Sequence, residues 1–434
     1  MNDSKTNKKN YNRREWLKKT GLFSAGLLVS GTVLGETRKE NPVILLVSGW
    51  QNVNIGDIAH TPGLLHVFEV FLPEARVILW KRTGGEEVKE LLNRNFPKVR
   101  IIYGGVTPEK DANQEVMAAI NEADIMVHGS GPLLVGADHL ACWMKHTDKP
   151  FGVFGTTLQN PGEYHQSILK KASFIYTRET NSIQHLKKAG IEGPHISFAP
   201  DATFYMHINN PDKAESFLNQ AGLEAKKFIC VIPRLRYTPY HTIYPDNNDW
   251  TRDWINHVEK TNEQTRERDH AKLREAMIAW VRETGNKVLV CPEMTYQMDI
   301  MDELLIDPLP ADVKPFVIKR GYWLPDEAAS VYAKAHTVLS FECHSPIIAA
   351  YNGTPFFYLR QPEDSIKGQM YYDLGFDNWI FEIEETEGRQ ITDTLRQIWK
   401  DYPGARAHLK DRMKNIGNIY SERVNMMKKL LSPL

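Results

Sequence analysis

Short, continuous apolar runs recur along this chain, each closed by glycine or a polar turn and each followed by a stretch with helical spacing. The runs at 42–48, 77–80, 99–103, 125–127, 151–154 and 174–176 show no alternation of polar and apolar residues. A strand without alternation is buried on both faces, as in a parallel sheet covered by helices. Helical segments at 86–95, 113–121 and 182–189 lie between the runs, and a further helix is expected to start near Thr61 and Pro62, because proline suits a first helical turn. A polar helical stretch at 207–225 reads as a link. The pattern then resumes at 228–232, 287–291, 316–319, 338–341 and 356–359, with helices at 271–283 and 326–335. This alternation predicts an α/β fold of two Rossmann-like, doubly wound domains facing a cleft. The expected boundaries are 36–206 for the first domain, 207–395 for the second and 396–434 for a C-terminal helical segment. The charged stretch 238–270, broken by Pro239 and Pro245, reads as an insertion or lid.

The 434 residues suffice for two domains of ordinary size, and a net charge of −1 gives no electrostatic footprint for nucleic acid. Cys142, Cys230, Cys291 and Cys343 are far apart, without CxxC spacing, and read as buried thiols rather than as a disulfide framework or metal site. No cofactor or metal is expected. Near the N-terminus, Arg13 and Arg14 precede Trp16, Leu17 and the apolar run 21–35. Paired arginines before a modest apolar segment read as a twin-arginine signal over 1–35, with the export machinery as partner and a periplasmic or cell-envelope destination. An N-terminal anchor is the alternative, but the run is short and rich in Gly, Ser and Thr for a membrane span.

Chemistry concentrates in 336–358. An apolar run ends in Glu342, Cys343 and His344, a short small-residue helix follows, and Gly353 and Pro355 close it. Polar residues at the carboxyl end of a parallel strand, facing a helix N-terminus, are where α/β sheets hold ligands. The bland reading is that Glu342 and His344 are satisfied polar groups at a strand end.

Other segments join this one. Gly49 with Asn54-Ile55-Gly56-Asp57 forms one. A strand ending in His128-Gly129-Ser130-Gly131 forms another, followed by Arg178-Glu179-Thr180-Asn181-Ser182 with Gly190, and by Pro200-Asp201-Ala202-Thr203-Phe204. Arg234 and Arg236 follow the strand 228–232, and Lys367-Gly368 precedes Leu374-Gly375. In order and spacing over roughly 43–380 these segments resemble the polysaccharide pyruvyl transferase family. The resemblance implies two Rossmann-like domains in the glycosyltransferase-B manner and transfer of a pyruvyl group from phosphoenolpyruvate to sugar hydroxyls as a ketal. It gives Arg234, Arg236 and Lys367 the donor's anions, His344 the role of acid and Asp57 the acceptor side, with Asn54 a further substrate-binding residue. Gly129 and Gly131 would let the backbone approach a ligand, with Asp201 nearby. Ordinary readings stand beside these: surface ion pairs for Arg234 and Arg236, a loop-capping role for Asp57, and tight turns for the glycines.

One difference is chemical. The family's Arg-Leu-His is Glu342-Cys343-His344 here, so a carboxylate occupies the place of an anion-binding arginine. That substitution opens a second possibility, an exported carbohydrate-active hydrolase with Glu342 and His344, together with Asp57 or Asp201, as its acid and base. A non-catalytic glycan-binding protein is a third, since 10 Trp and 17 Tyr could supply stacking surfaces.

Overall fold

The computed structural model describes residues 41–431 apart from 194, 247 and 248; the signal expected over 1–35 lies outside the described residues. Two separate sheets carry the fold, and every strand pairing in both is parallel. The first consists of β1 (Val43–Ser48), β2 (Arg76–Lys81), β3 (Arg100–Ile102), β4 (Ile125–His128), β5 (Phe151–Thr156), β6 (Phe174–Thr177) and β7 (His195–Phe198), in the order β3-β2-β1-β4-β5-β6-β7. The second consists of β8 (Phe228–Ile232), β9 (Lys287–Val290), β10 (Val317–Lys319), β11 (Val338–Ser340), β12 (Phe356–Arg360) and β13 (Ile380–Glu382), in the order β10-β9-β8-β11-β12-β13. Each sheet reverses its strand order once, between β1 and β4 in the first and between β8 and β11 in the second. Ligand crevices of open α/β sheets lie at such switch points.

β1, β4, β8 and β11 are buried along their whole length. This explains why they read as unbroken apolar runs. β7 and β13 escaped the sequence reading for the opposite reason. They are short, lie at sheet edges, and β7 is only half-buried, so neither needs a continuous apolar run.

Three helices differ from expectation. The first begins at Ile55, six positions before the expected start, and runs to Phe71 with Pro62 in its interior. Asn54 sets this start: its side chain accepts from the backbone N–H of Gly56 at 2.7 Å and of Asp57 at 3.4 Å. The stretch expected as insertion and separate helix contains one 33-residue helix, Arg252–Thr284. Its buried face includes Val258, Asn262, Thr265, Asp269, Leu273, Ala276 and Trp280, at helical spacing throughout. The first half of that face is polar, which hid the periodicity. Residues 238–246, with a single helical turn at Tyr240–Ile243, precede that helix. At the C-terminus, Asp401 caps a second helix, Tyr402–Leu430, after Gly388–Lys400. That last helix lies on the first sheet's side, where the Tyr420 hydroxyl donates to the Asp201 carbonyl at 2.7 Å. The four cysteines are free and buried, as expected. Among the described residues no helix is long and apolar enough to cross a membrane.

Close packing of the Ile55–Phe71 helix depends on Gly63. A Cβ there would stand 2.2 Å from the Ala202 carbonyl oxygen, a backbone atom that cannot yield. Gly63→Ala is therefore expected to lower stability by about 1–3 kcal/mol, measured as a fall in the urea midpoint at unchanged slope.

Candidate active site

The helix His344–Tyr351 starts directly after β11, and its first residue reaches across to the N-terminal half. Space for the ring comes from Gly56, where a Cβ would fall 2.2 Å from His344 Cγ and Nδ1. The expected Asn-x-Gly-Asp loop is thus a seat for this histidine. Both ring nitrogens are engaged. His344 Nδ1 lies 3.0 Å from Glu293 Oε1, and Nε2 lies 3.1 Å from His60 Nε2 and 3.9 Å from Asp201 Oδ2. His60 Nε2 is in turn 3.2 Å from Asp201 Oδ2. Asp201 also accepts from Arg178 at 2.8 Å and from the Thr203 N–H at 3.0 Å. His60, His344, Asp201 and Glu293 are all buried.

Glu293 has a second task. Its Oε2 accepts from the Ser345 N–H at 2.6 Å and the Ser345 hydroxyl at 2.7 Å, capping the His344–Tyr351 helix with a negative charge. Burial by itself raises the pKa of Glu293 and of Asp201. For Glu293 the contacts to His344 and Ser345 outweigh it and lower the pKa. For Asp201 the contacts to His60, Arg178 and His344 hold it well below the usual range. Burial works against a charged His344, but Cys343 and Glu293 raise its pKa well above the ordinary histidine value.

The arginines expected to hold a donor are spent on protein carboxylates. Arg234 donates to Asp364 at 2.5 Å and Gln361 at 2.8 Å, with its Nε 3.3 Å from Glu342 Oε1. Arg236 makes a two-point pair with Asp269 on the long helix, at 2.8 and 3.1 Å, and reaches Glu384 at 2.5 Å. These are ion pairs inside the C-terminal half, and both arginines are buried rather than in the surface pairs of the ordinary reading. Glu342 is likewise a buried partner, held by Arg234 and by Gln297 at 2.8 Å rather than standing free beside His344. Burial pushes its carboxyl up to about 7, with Arg234 and Lys367 pulling the other way. Lys367 has a looser contact, 3.5 Å to Asp364. Burial disfavours its charge, yet Cys343 and Asp364 raise its pKa.

The remaining candidates divide similarly. Asp57 lies on the helix face that carries His60, 4.0 Å from His60 Nδ1, and accepts from Gln51 at 2.5 Å. Asn54 is the helix cap and Gly129 packs on Ser48. Gly131 packs on Trp50, whose Nε1 donates to the Ser130 carbonyl at 2.5 Å. Both glycines serve close internal packing. The Gln51 side chain also lies 3.4 Å from the hydroxyls of Tyr240 and Tyr244.

His60 and Glu293 were missed by sequence reasoning, and Arg178 was noted only as part of a motif. A signal existed for each. His60 stands three positions after Asp57, hence on the same helix face, and Glu293 sits just past the carboxyl end of β9, beside a switch point. Since Gly56 exists here to seat His344, Gly56→Ala is expected to lower activity about 100-fold and to lower the melting temperature. In a His344→Ala background the stability loss should vanish, a coupling that a double-mutant cycle in urea measures.

The fold has solved relatives. A glycosyltransferase from Rickettsia africae aligns over 91% of this chain and 99% of its own, with TM-score 0.56 and 11% identity. The UDP-GlcNAc 2-epimerase from Neisseria meningitidis, solved bound to UDP-GlcNAc, aligns over 89% and 100%, with TM-score 0.55 and 11% identity. At such identity the likeness shows the two-domain glycosyltransferase-B-like fold. No curated protein matches the chain. The sequence profile of polysaccharide pyruvyl transferases matches residues 54–361, from the cap of the first helix to the glutamine that holds Arg234, and the chain belongs to that family.

Proposed function

We propose that this transferase moves the pyruvyl group of phosphoenolpyruvate onto two hydroxyls of one sugar unit in a polysaccharide. The products are a cyclic ketal and inorganic phosphate. Of the two hydroxyl protons, one ends on the former methylene carbon and the other leaves with the phosphate, so the atoms balance. The observation that carries this reading is the meeting of the family's separate segments. Asp57, Arg178, Asp201 and His344 come from four places in the sequence and from both halves, yet lie in one connected network. Chemistry at an enol phosphate asks for positive charge at the phosphate and carboxylate. With Arg234 and Arg236 neutralised, Lys367 is the side chain best suited to that task, and His344 is the centre of the network. Nothing favours the hydrolase, because Glu342 is bound to Arg234 and Gln297 and lacks the freedom of an acid or base. The glycan-binding alternative gains no support either.

Phosphoenolpyruvate at about 100 times its Kd is expected to stabilise the protein by about 2.7 kcal/mol, seen as a raised melting temperature. Lys367→Ala should lose most of that rise and His344→Ala should abolish phosphate release with a glycan acceptor. Absence of both the rise and phosphate release in the wild type overturns the reading.

We further propose export by the twin-arginine route to the periplasm or cell envelope. The support is the Arg13-Arg14 pair and the apolar run 21–35. Replacing both arginines by lysine should leave the protein in the cytoplasm, as fractionation and immunoblotting would reveal; unchanged export points to an ordinary signal or an anchor.

A further inference from the structure

The protons of the histidine pair do not fit. Two Nε2 atoms, of His60 and His344, face each other at 3.1 Å, and Asp201 Oδ2 lies 3.2 Å from the first and 3.9 Å from the second. If His60 Nε2 carries a proton and gives it to Asp201, His344 Nε2 faces an N–H that points elsewhere. If His344 Nε2 donates to His60 instead, the His60 lone pair is used and Asp201 faces a ring nitrogen without a proton. The His60 proton then sits on Nδ1, which is buried and has no hydrogen-bond partner. Neither arrangement satisfies a site in which unpaired polar atoms are costly.

A cation removes the conflict. We infer that His60 Nε2, His344 Nε2 and Asp201 Oδ2 bind one divalent transition-metal ion of the zinc class. The three atoms lie within 4.8 Å of one another. The separations above leave a single point roughly 2 Å from all three, the bond length for zinc to imidazole nitrogen or carboxylate oxygen. Two histidines and one carboxylate are an established ligand set for zinc and for iron(II). Both ring protons then move to Nδ1. That of His344 points at Glu293 at 3.0 Å, giving the carboxylate–histidine–metal arrangement, while that of His60 stays without a hydrogen-bond partner, 4.0 Å from Asp57, so the gain lies at the two Nε2 atoms and Asp201. Asp201 keeps its bonds from Arg178 and Thr203, which orient it.

Its position gives the ion two consequences. His60 and Asp201 belong to the N-terminal half and His344 to the C-terminal half, so the ion ties the halves together. Resting on the transferase reading above, it also places positive charge in a cleft whose family arginine is Glu342 and whose Arg234 and Arg236 are neutralised by carboxylates.

The test uses the full chain, stripped with a chelator and dialysed. Titration with Co2+ is expected to give one bound equivalent per chain, visible ligand-field absorption and a raised melting temperature, with Zn2+ displacing the colour. His60→Ala and Asp201→Asn should lose the absorption while keeping the wild-type circular dichroism. Glu293→Gln should weaken binding about 10–100-fold. Should the ligand variants not fold, the wild-type titration decides alone: a folded, stripped protein that takes up no Co2+ overturns the inference, as does unchanged uptake in folded His60→Ala. Phosphoenolpyruvate turnover without any metal uptake overturns the site and leaves the transferase reading standing. Stoichiometric Co2+ uptake with no response to phosphoenolpyruvate supports the site and overturns that reading instead.

Discussion

The Glu293 carboxylate holds this structure's centre together. It is buried, and an isolated buried carboxylate is expensive. Its cost is offset by three donors: the Ser345 N–H, the Ser345 hydroxyl and His344 Nδ1. Those bonds place a negative charge at the start of the His344–Tyr351 helix, where the helix dipole favours it. The backbone of the same residue works in the other direction, since the Glu293 carbonyl accepts from Ile55 N–H at 2.9 Å. Glu293 therefore joins the end of β9, the His344 helix and the Ile55 helix. Neighbouring backbone continues the seam: Asn54 and Met294 form an antiparallel bridge, and Thr295 N–H donates to the Val53 carbonyl at 3.0 Å.

Electrostatics in the C-terminal half turn on Glu342 and Arg234. An arginine in place of Glu342 would bring a second guanidinium towards Arg234, whose Nε now faces the Glu342 carboxylate at 3.3 Å. With Glu342 present, Arg234 is fully compensated by Glu342 and Asp364, and its own pKa rises well above the usual value despite burial. Reversing only this residue does not rebuild a donor site. Gln297 would lose its acceptor too, and Gln297 also accepts from the Glu293 and Met294 N–H groups, so the change reaches the His344 network.

Much of the fold was legible because parallel strands buried on both faces must be apolar along their length. β1, β8 and β11 obey that rule, and the sequence marks them plainly. Elements failed to register where burial and polarity part company. Along Arg252–Thr284 the inner face carries Asn262, Asp269 and His270, each buried against a specific partner: the backbone of Tyr237, Arg236, and the backbone of Arg234 and Arg266. A polar residue with a partner in the fold looks the same in sequence as one facing water. For the site the limit is pairing. Sequence identified His344, Asp57 and Asp201 as chemically capable, but an arginine's partner lies far away in the chain, and without it Arg236 reads as an anion ligand rather than as half of a pair with Asp269.

The seam between the halves makes the site conditional. Gly56 must stay bare for His344 to reach His60, and His60 comes from a helix whose start is fixed by Asn54. Arg94 on the first half holds Asp326 on the second at 2.5 Å, and the Tyr322 hydroxyl donates to the Asn52 carbonyl at 3.1 Å. If the halves separated, His344 would keep Glu293, which belongs to its own half, and lose His60 and Asp201, which do not. Separation would therefore take His60, Asp201 and the Gly56 seat away from the ring and leave it the Glu293 contact at Nδ1. The orientation of His344 is thus set from both halves, by Glu293 from its own and by Gly56, His60 and Asp201 from the other.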